Sequence, residues 1–259
     1  MRSRIAAVSV AAVTGLVMLT TAWPAQAQYP ASLGTPTTYS AGKPLWGTLQ
    51  NVPGIGATEF TYVGPTMGST IEAYYASQHV DDLKAMAKKA RVLLRQQLDE
   101  RCAGDPKACK AMVVFDIDET LFNNYTYWAN ETPPFSLDDT NWTTYVENCE
   151  TSVNGPIRAF YRLAKDKGVK VAVITGRPVT QTAVTQDCLR EKGITDWTDF
   201  TAKPVDDTAS ASVFKAQARK ALEQKGYTIL VSVGDQISDM AGGPLGGGIW
   251  LPNPIYFIP

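Results

Sequence analysis

Histidine is almost absent from this chain: among 259 residues there is one, His79. That scarcity excludes sites that attack with an imidazole and sites that gather several imidazoles around a metal. Cysteine is nearly as scarce. The four present, Cys102, Cys109, Cys149 and Cys188, show no C-x2-C spacing, which argues against a structural zinc site. Charge of one sign is lacking too: 24 Lys+Arg face 25 Asp+Glu, a net charge of -1. No overall field exists to recruit a nucleic-acid polymer or an anionic membrane, so small or local partners are favoured. The Gly242 to Gly248 run has no Gly-Lys-Ser or Gly-Lys-Thr behind it, so it is not a phosphate-cradling loop and reads as a turn into a final strand. There are no internal repeats.

No apolar run is long enough for a stable membrane anchor. The run from Ile5 to Leu19 falls short of the roughly 20 residues that span a bilayer. Preceded by Arg2 and Arg4 and followed by Ala25-Gln26-Ala27, it reads as a signal peptide cleaved after Ala27. The mature protein is expected to be exported. Residues 28–69 are rich in Pro, Gly and Thr without a sustained period and read as extended lead-in chain, which leaves 70–259 as one folded domain.

Export gives the cysteines a role, because an even count in an oxidising compartment implies disulfides. Four cysteines allow three connectivities. Cys102 and Cys109 flank the turn-prone Ala-Gly-Asp-Pro-Lys-Ala, so a local bridge is expected there, leaving Cys149 for Cys188.

From Ile71 to Arg101, Val80, Leu83, Ala87, Ala90, Leu94 and Leu98 mark one apolar stripe of a helix, with Lys88, Lys89, Arg91 and Arg95 on its solvated faces. Beyond it the period changes. Met112 to Phe115, Val169 to Ile174 and Ile229 to Val233 are short, β-branched runs of the kind buried on both faces of a sheet. Amphipathic stretches lie between them and end at Gly168, Gly193 and Gly226. The alternation predicts an α/β, Rossmann-like fold: a central parallel sheet with helices on both faces. In such sheets ligands bind at the carboxyl ends of the strands.

Those ends are where the acids fall. The first strand runs into Asp116 and Asp118, the second into Thr175-Gly176-Arg177, and the third into Gly234-Asp235, with Asp239 four residues on. If Asp116 is extended, it and Asp118 face one crevice. A single acid at a strand end can merely cap the next helix. Several converging carboxylates are a different matter, since a like-charge pair at about 4 Å costs about 1 kcal/mol in water and about 4 kcal/mol at an effective dielectric near 20. A cation must join them, and a hard divalent ion such as Mg2+ suits an all-oxygen set.

The same residues resemble a known family. The Asp-x-Asp-x-Thr, Thr-Gly-Arg, downstream lysine and Gly-Asp-x-x-x-Asp look like the four motifs of the haloacid dehalogenase (HAD) superfamily of phosphohydrolases. More closely, DIDETLFNN, the insert with Trp142, VITGRP, SVFKAQAR, VSVGDQISD and the tail LPNP are similar to its secreted acid phosphatases, the bacterial class C and plant storage-protein-like group. The resemblance implies a Mg2+-dependent phosphate monoesterase. Asp116 would be the nucleophile that becomes an aspartyl-phosphate, and Asp118 the general acid and then the base. Thr175 would bond a phosphoryl oxygen and a lysine would neutralise its charge. Lys215 matches the family position, with Lys203 the alternative. The ion would be held by Asp116, Asp235 and the backbone carbonyl of Asp118, supported by Asp239, with Arg177 steadying the loop. Asn124 and Tyr127 fall where relatives line the mouth, and Tyr127 there could stack an aromatic leaving group.

Other readings share parts of the pattern. Carbon–halogen hydrolysis uses a similar nucleophile but needs neither the second Asp nor GDxxxD. A signalling receiver domain also sets Asp, Thr and Lys around Mg2+, yet the DxD pair and export argue against it. A non-catalytic storage or binding protein remains as the alternative without chemistry, and the presence of Asp116 weighs against it.

Overall fold

The structure is a computed structural model, and it describes residues 61–62 and 64–258, with side chains from 68 onward. The expected signal peptide, most of the lead-in and the cleavage point at Ala27 lie outside the described residues.

Among the described residues, nine strands and eight α-helices follow in order. β1 is Thr61–Tyr62, α1 Gly64–Ser77, α2 His79–Cys102, β2 Ala111–Phe115, β3 Phe122–Asn123, α3 Tyr125–Asn130, α4 Asp139–Glu147 and β4 Ser152–Val153. α5 is Gly155–Asp166, β5 Lys170–Pro178, α6 Thr182–Glu191, β6 Asp199–Lys203, α7 Ala211–Gln224, β7 Thr228–Gly234, α8 Ile237–Met240, β8 Gly247–Trp250 and β9 Tyr256–Phe257.

The central sheet has five strands in the order β6-β5-β2-β7-β8, and every pairing in it is parallel. β2, whose residues are all buried, lies in the middle, as its unbroken apolar sequence predicts. Alternate side chains serve two cores. Ala111, Val113 and Phe115 pack with α2 and α5, while Met112 and Val114 pack with Phe214, Ala218 and Leu222 of α7. Gly168, Gly193 and Gly226 follow α5, α6 and α7 with positive φ, the left-handed turn that ends a helix.

Three expectations change. Helix begins at Gly64, inside the stretch expected to be extended. The single helix expected over 71–101 is two, broken at Gln78, whose φ of −129° interrupts the helical backbone. The break turns His79 inward against Tyr74 and Tyr75 and leaves Val80 51% exposed, so the stripe starts at Leu83. β6 had no apolar run to announce it, because it is a half-buried edge strand. The turn and final strand expected after Gly242 are present as β8, and a further short strand, β9, pairs antiparallel with β1.

Both disulfides form in the expected pairing, Cys102 with Cys109 and Cys149 with Cys188. The first closes the turn after α2. The second ties the insert between β2 and α5 to α6.

Candidate functional site

At the carboxyl edge of the sheet lies a cleft of about 350 Å³ whose lining includes Asp116, Asp118, Gly176, Arg177, Lys215 and Asp235. β2 delivers Asp116 in extended conformation, with its amide bonded to the Val233 carbonyl of β7. The chain then turns: Asp118 is extended and Glu119 left-handed at φ 52°. Asp116 and Asp118 therefore both line one cleft, as their spacing predicts.

Asp116, Asp235 and Asp239 are all buried, and one carboxylate oxygen from each lies within 4.8 Å of the others. Lys215 reaches them from α7. Its Nζ donates to Asp116 Oδ1 at 2.8 Å and to Asp239 Oδ1 at 2.5 Å. Burial pushes Asp116 well above the usual carboxylate range, against the pull of Lys215, and Asp239, Asp235 and Asp118 push further. Asp235 is raised to about 7, first by burial and then by Asp239 and Glu119. Burial also works against the Lys215 ammonium, but Asp116 and Asp239 outweigh it and its pKa rises.

This donor set fits a hard divalent cation. It is carboxylate oxygen throughout, it is buried, and one lysine cannot balance three acids. Asp239 has both oxygens engaged, one by Lys215 and the other by the Gln236 amide at 3.0 Å. Gly234 makes that approach feasible, since a Cβ there would lie 2.2 Å from Asp239 Cγ.

Asp118 stands apart from the three. Arg177 grips its carboxylate with a fork, Nη2 to Oδ1 at 2.7 Å and Nε to Oδ2 at 3.0 Å, and Asn124 Nδ2 adds a bond to Oδ1 at 2.9 Å. Arg177, expected to steady the loop, is bonded to Asp118 itself. Thr175 is buried and its hydroxyl accepts from the Arg177 amide at 3.1 Å, shaping the loop after β5. Lys203 lines the cleft as well, but its Nζ is bonded to the Ala209 carbonyl at 2.8 Å, away from the acids.

Two expected mouth residues are placed elsewhere. Tyr127 is not in the lining: its ring is buried among Trp128, Trp142 and Tyr145, and its hydroxyl donates to the Asp138 carbonyl and accepts from the Asp138 amide. Packing the insert onto the domain uses the whole side chain. Asn124 is buried and serves Asp118, accepting in turn from the Thr151 hydroxyl. The aromatic lining comes from Trp128, Trp142 and Tyr256 instead.

Several site residues had no reading of their own in the sequence. Asn253, in the LPNP tail, donates to Asp235 Oδ2 at 2.7 Å, and Gln236 does so at 2.6 Å. Trp250 Nε1 bonds the Asp235 carbonyl at 2.8 Å, and Thr120 Oγ1 lies 3.2 Å from Asp235 Oδ1. Asn154 fixes the turn after β2 by donating to the carbonyls of Glu119, Thr120 and Phe122. The LPNP tail, as part of the family resemblance, was the one signal for Asn253.

Residues 50–259 match a family model described as HAD superfamily, subfamily IIIB (acid phosphatase). Over 148 residues the chain is 32% identical to acid phosphatase 1 of Solanum lycopersicum, covering 56% of this chain and 58% of that protein. Over 150 residues it is 28% identical to vegetative storage protein 1 of Arabidopsis thaliana, covering 56% and 55%. The chain thus spans little more than half the length of these relatives. Among solved structures, the class C acid phosphatase from Bacillus anthracis shares the fold, with a TM-score of 0.60 at 19% identity over 75% of this chain and 87% of that one.

Proposed function

The chain belongs to the acid phosphatases of HAD subfamily IIIB, and from that premise we propose that it is an exported, Mg2+-dependent phosphatase of small phosphate monoesters. The observation that carries the reading is the meeting of Asp116, Asp235, Asp239 and Lys215 at one strand edge, with Asp118 beside them.

Asp116 is the nucleophile. Its carboxylate attacks phosphorus as the bond to the leaving oxygen breaks, giving an aspartyl-phosphate, and Asp118 passes a proton to the departing alkoxide. Water then attacks the same phosphorus, Asp118 takes its proton, and Asp116 and inorganic phosphate are released. For Asp118 to exchange that proton, its carboxyl must loosen from the Arg177 fork, which otherwise holds it aimed at the cleft. Lys215 balances charge on the transferring group and on Asp116. Thr175 and the Gly176 backbone offer the phosphoryl oxygens hydrogen-bonding partners.

Asp116 and Asp235 would hold the ion with the Asp118 carbonyl, and Asp239 would orient them. When bound, Mg2+ supplies positive charge that keeps the carboxylates ionised and draws density from the phosphoryl oxygens. The aromatic lining faces the leaving group. Export is supported by the two disulfides and by the leader-like N-terminus.

Steady-state hydrolysis of p-nitrophenyl phosphate tests the reading. Turnover is expected in wild type, to vanish with EDTA, to return with Mg2+, and to be absent in Asp116→Asn. Relatives named as vegetative storage proteins carry the second reading, a storage protein without catalysis. A wild type inert across aryl, sugar and nucleoside phosphates would establish that one instead.

A further inference from the structure

Glu119 takes no part in the chemistry above, yet it is built into the centre of the site. It sits between Asp118 and Thr120 with a positive φ, a conformation uncommon for residues other than glycine and associated with functional constraint. Its side chain is buried. A carboxylate in that position is costly unless its oxygens are bonded.

The bonds it makes run to two separate parts of the chain. Trp128 Nε1, from α3 in the insert, donates to Oε1 at 3.1 Å. The Tyr256 hydroxyl, from β9 near the C-terminus, donates to Oε2. These two rings lie 5.3 Å apart and both line the cleft. Trp128 stacks on Trp142, which in turn faces the Arg177 guanidinium at 5.7 Å. Meanwhile the Glu119 carbonyl is tied to Asn154, so the backbone beneath is anchored as well. One turn therefore aims Asp116 and Asp118 at the phosphoryl seat and, through the next side chain, fixes two aromatic walls relative to that seat.

We propose that Glu119 is a positioning residue for leaving-group selection: by bonding Trp128 and Tyr256 together it sets the separation between the phosphoryl seat and the aromatic wall, favouring esters with flat, apolar leaving groups. This inference rests on the phosphatase reading. Glu119 touches no reacting atom, and its effect appears as selectivity.

The test uses the full chain with Mg2+ and two esters, p-nitrophenyl phosphate and glycerol 2-phosphate, the second too small and polar to use the wall. Glu119→Ala is expected to lower kcat/KM for the aryl ester about tenfold, mainly through KM, and to change the glycerol ester by less than about threefold. Glu119→Gln keeps an oxygen for the indole and an amide for the tyrosine hydroxyl, and is expected to restore most of the preference. Trp128→Phe removes the same bond from the other side, so it should shift selectivity in the same direction and stands in if Glu119→Ala does not fold. Equal losses on both esters, or an unchanged ratio in Glu119→Ala and Trp128→Phe, overturn the inference alone. A wild type inert toward both esters overturns the phosphatase reading and this inference with it.

Discussion

Lys215 Nζ lies 2.8 Å from Asp116 Oδ1, joining residues 99 positions apart in the sequence in a pair that is almost fully buried. The contact crosses from α7 to the end of β2, so the positions of helix and strand together decide whether Asp116 has its counter-charge. Lys215→Met is expected to lower kcat for p-nitrophenyl phosphate by about 10²–10³, the scale of losing one charge-stabilising group in a dry site. Lys203→Met, measured in parallel, should lose far less, because its ammonium is bonded away from the acids.

The fork between Arg177 and Asp118 needs the planar guanidinium. Arg177→Lys keeps the charge and loses the two-pronged grip, so kcat is expected to fall about 10- to 100-fold from misplacement of Asp118. The metal requirement should stay unchanged, because Asp118's side chain lies outside the three-acid cluster. A Mg2+ titration of the variant's activity checks both parts.

The disulfides should differ in what they contribute. Cys149–Cys188 closes a separation of 39 residues and Cys102–Cys109 one of 7. On chain-entropy grounds, replacing the first pair by serine is expected to cost about 4 kcal/mol and the second about 2 kcal/mol. Urea unfolding of the two double variants measures the difference.

His79 makes stability sensitive to acid. Burial lowers its imidazole from 6.5 to about 4. Between those values the unfolded chain binds a proton that the folded chain refuses, so stability rises with pH across the window and is lost as pH falls through it. Stability lost this way amounts to about 3 kcal/mol at pH 4 and below, relative to pH above 6.5. His79→Phe should flatten the dependence of Tm on pH between 4 and 6.5, read by thermal unfolding of both proteins at several pH values.

What the sequence made legible is what strand chemistry exposes. Asp116 directly follows an unbroken apolar run, with Asp118 two residues on, and Asp235 closes a second mostly apolar run, so their place at strand tips could be read directly; Lys215 followed from the family spacing. The supports were hidden for a physical reason: Trp250 and Asn253 meet Asp235 through a later segment whose path depends on tertiary packing, and nothing in the sequence says that the Gln236 side chain turns back onto its neighbour. Tyr127 was misplaced because an aromatic residue in an irregular insert shows no period to say which way it faces. Edge strand β6, half exposed and of mixed composition, likewise gave no apolar signature.

The tail from Asn253 to Ile258 holds Asp235, walls the cleft through Tyr256 and accepts no slack, since the Ile258 amide donates to Gln236 Oε1 at 2.6 Å. A cut within residues 253–258 is therefore expected to dismantle the site although every motif residue remains intact. For the same reason an affinity handle joined directly after Ile258 would stand at the doorway of the site, so a poorly active preparation of such a fusion would report on its handle first.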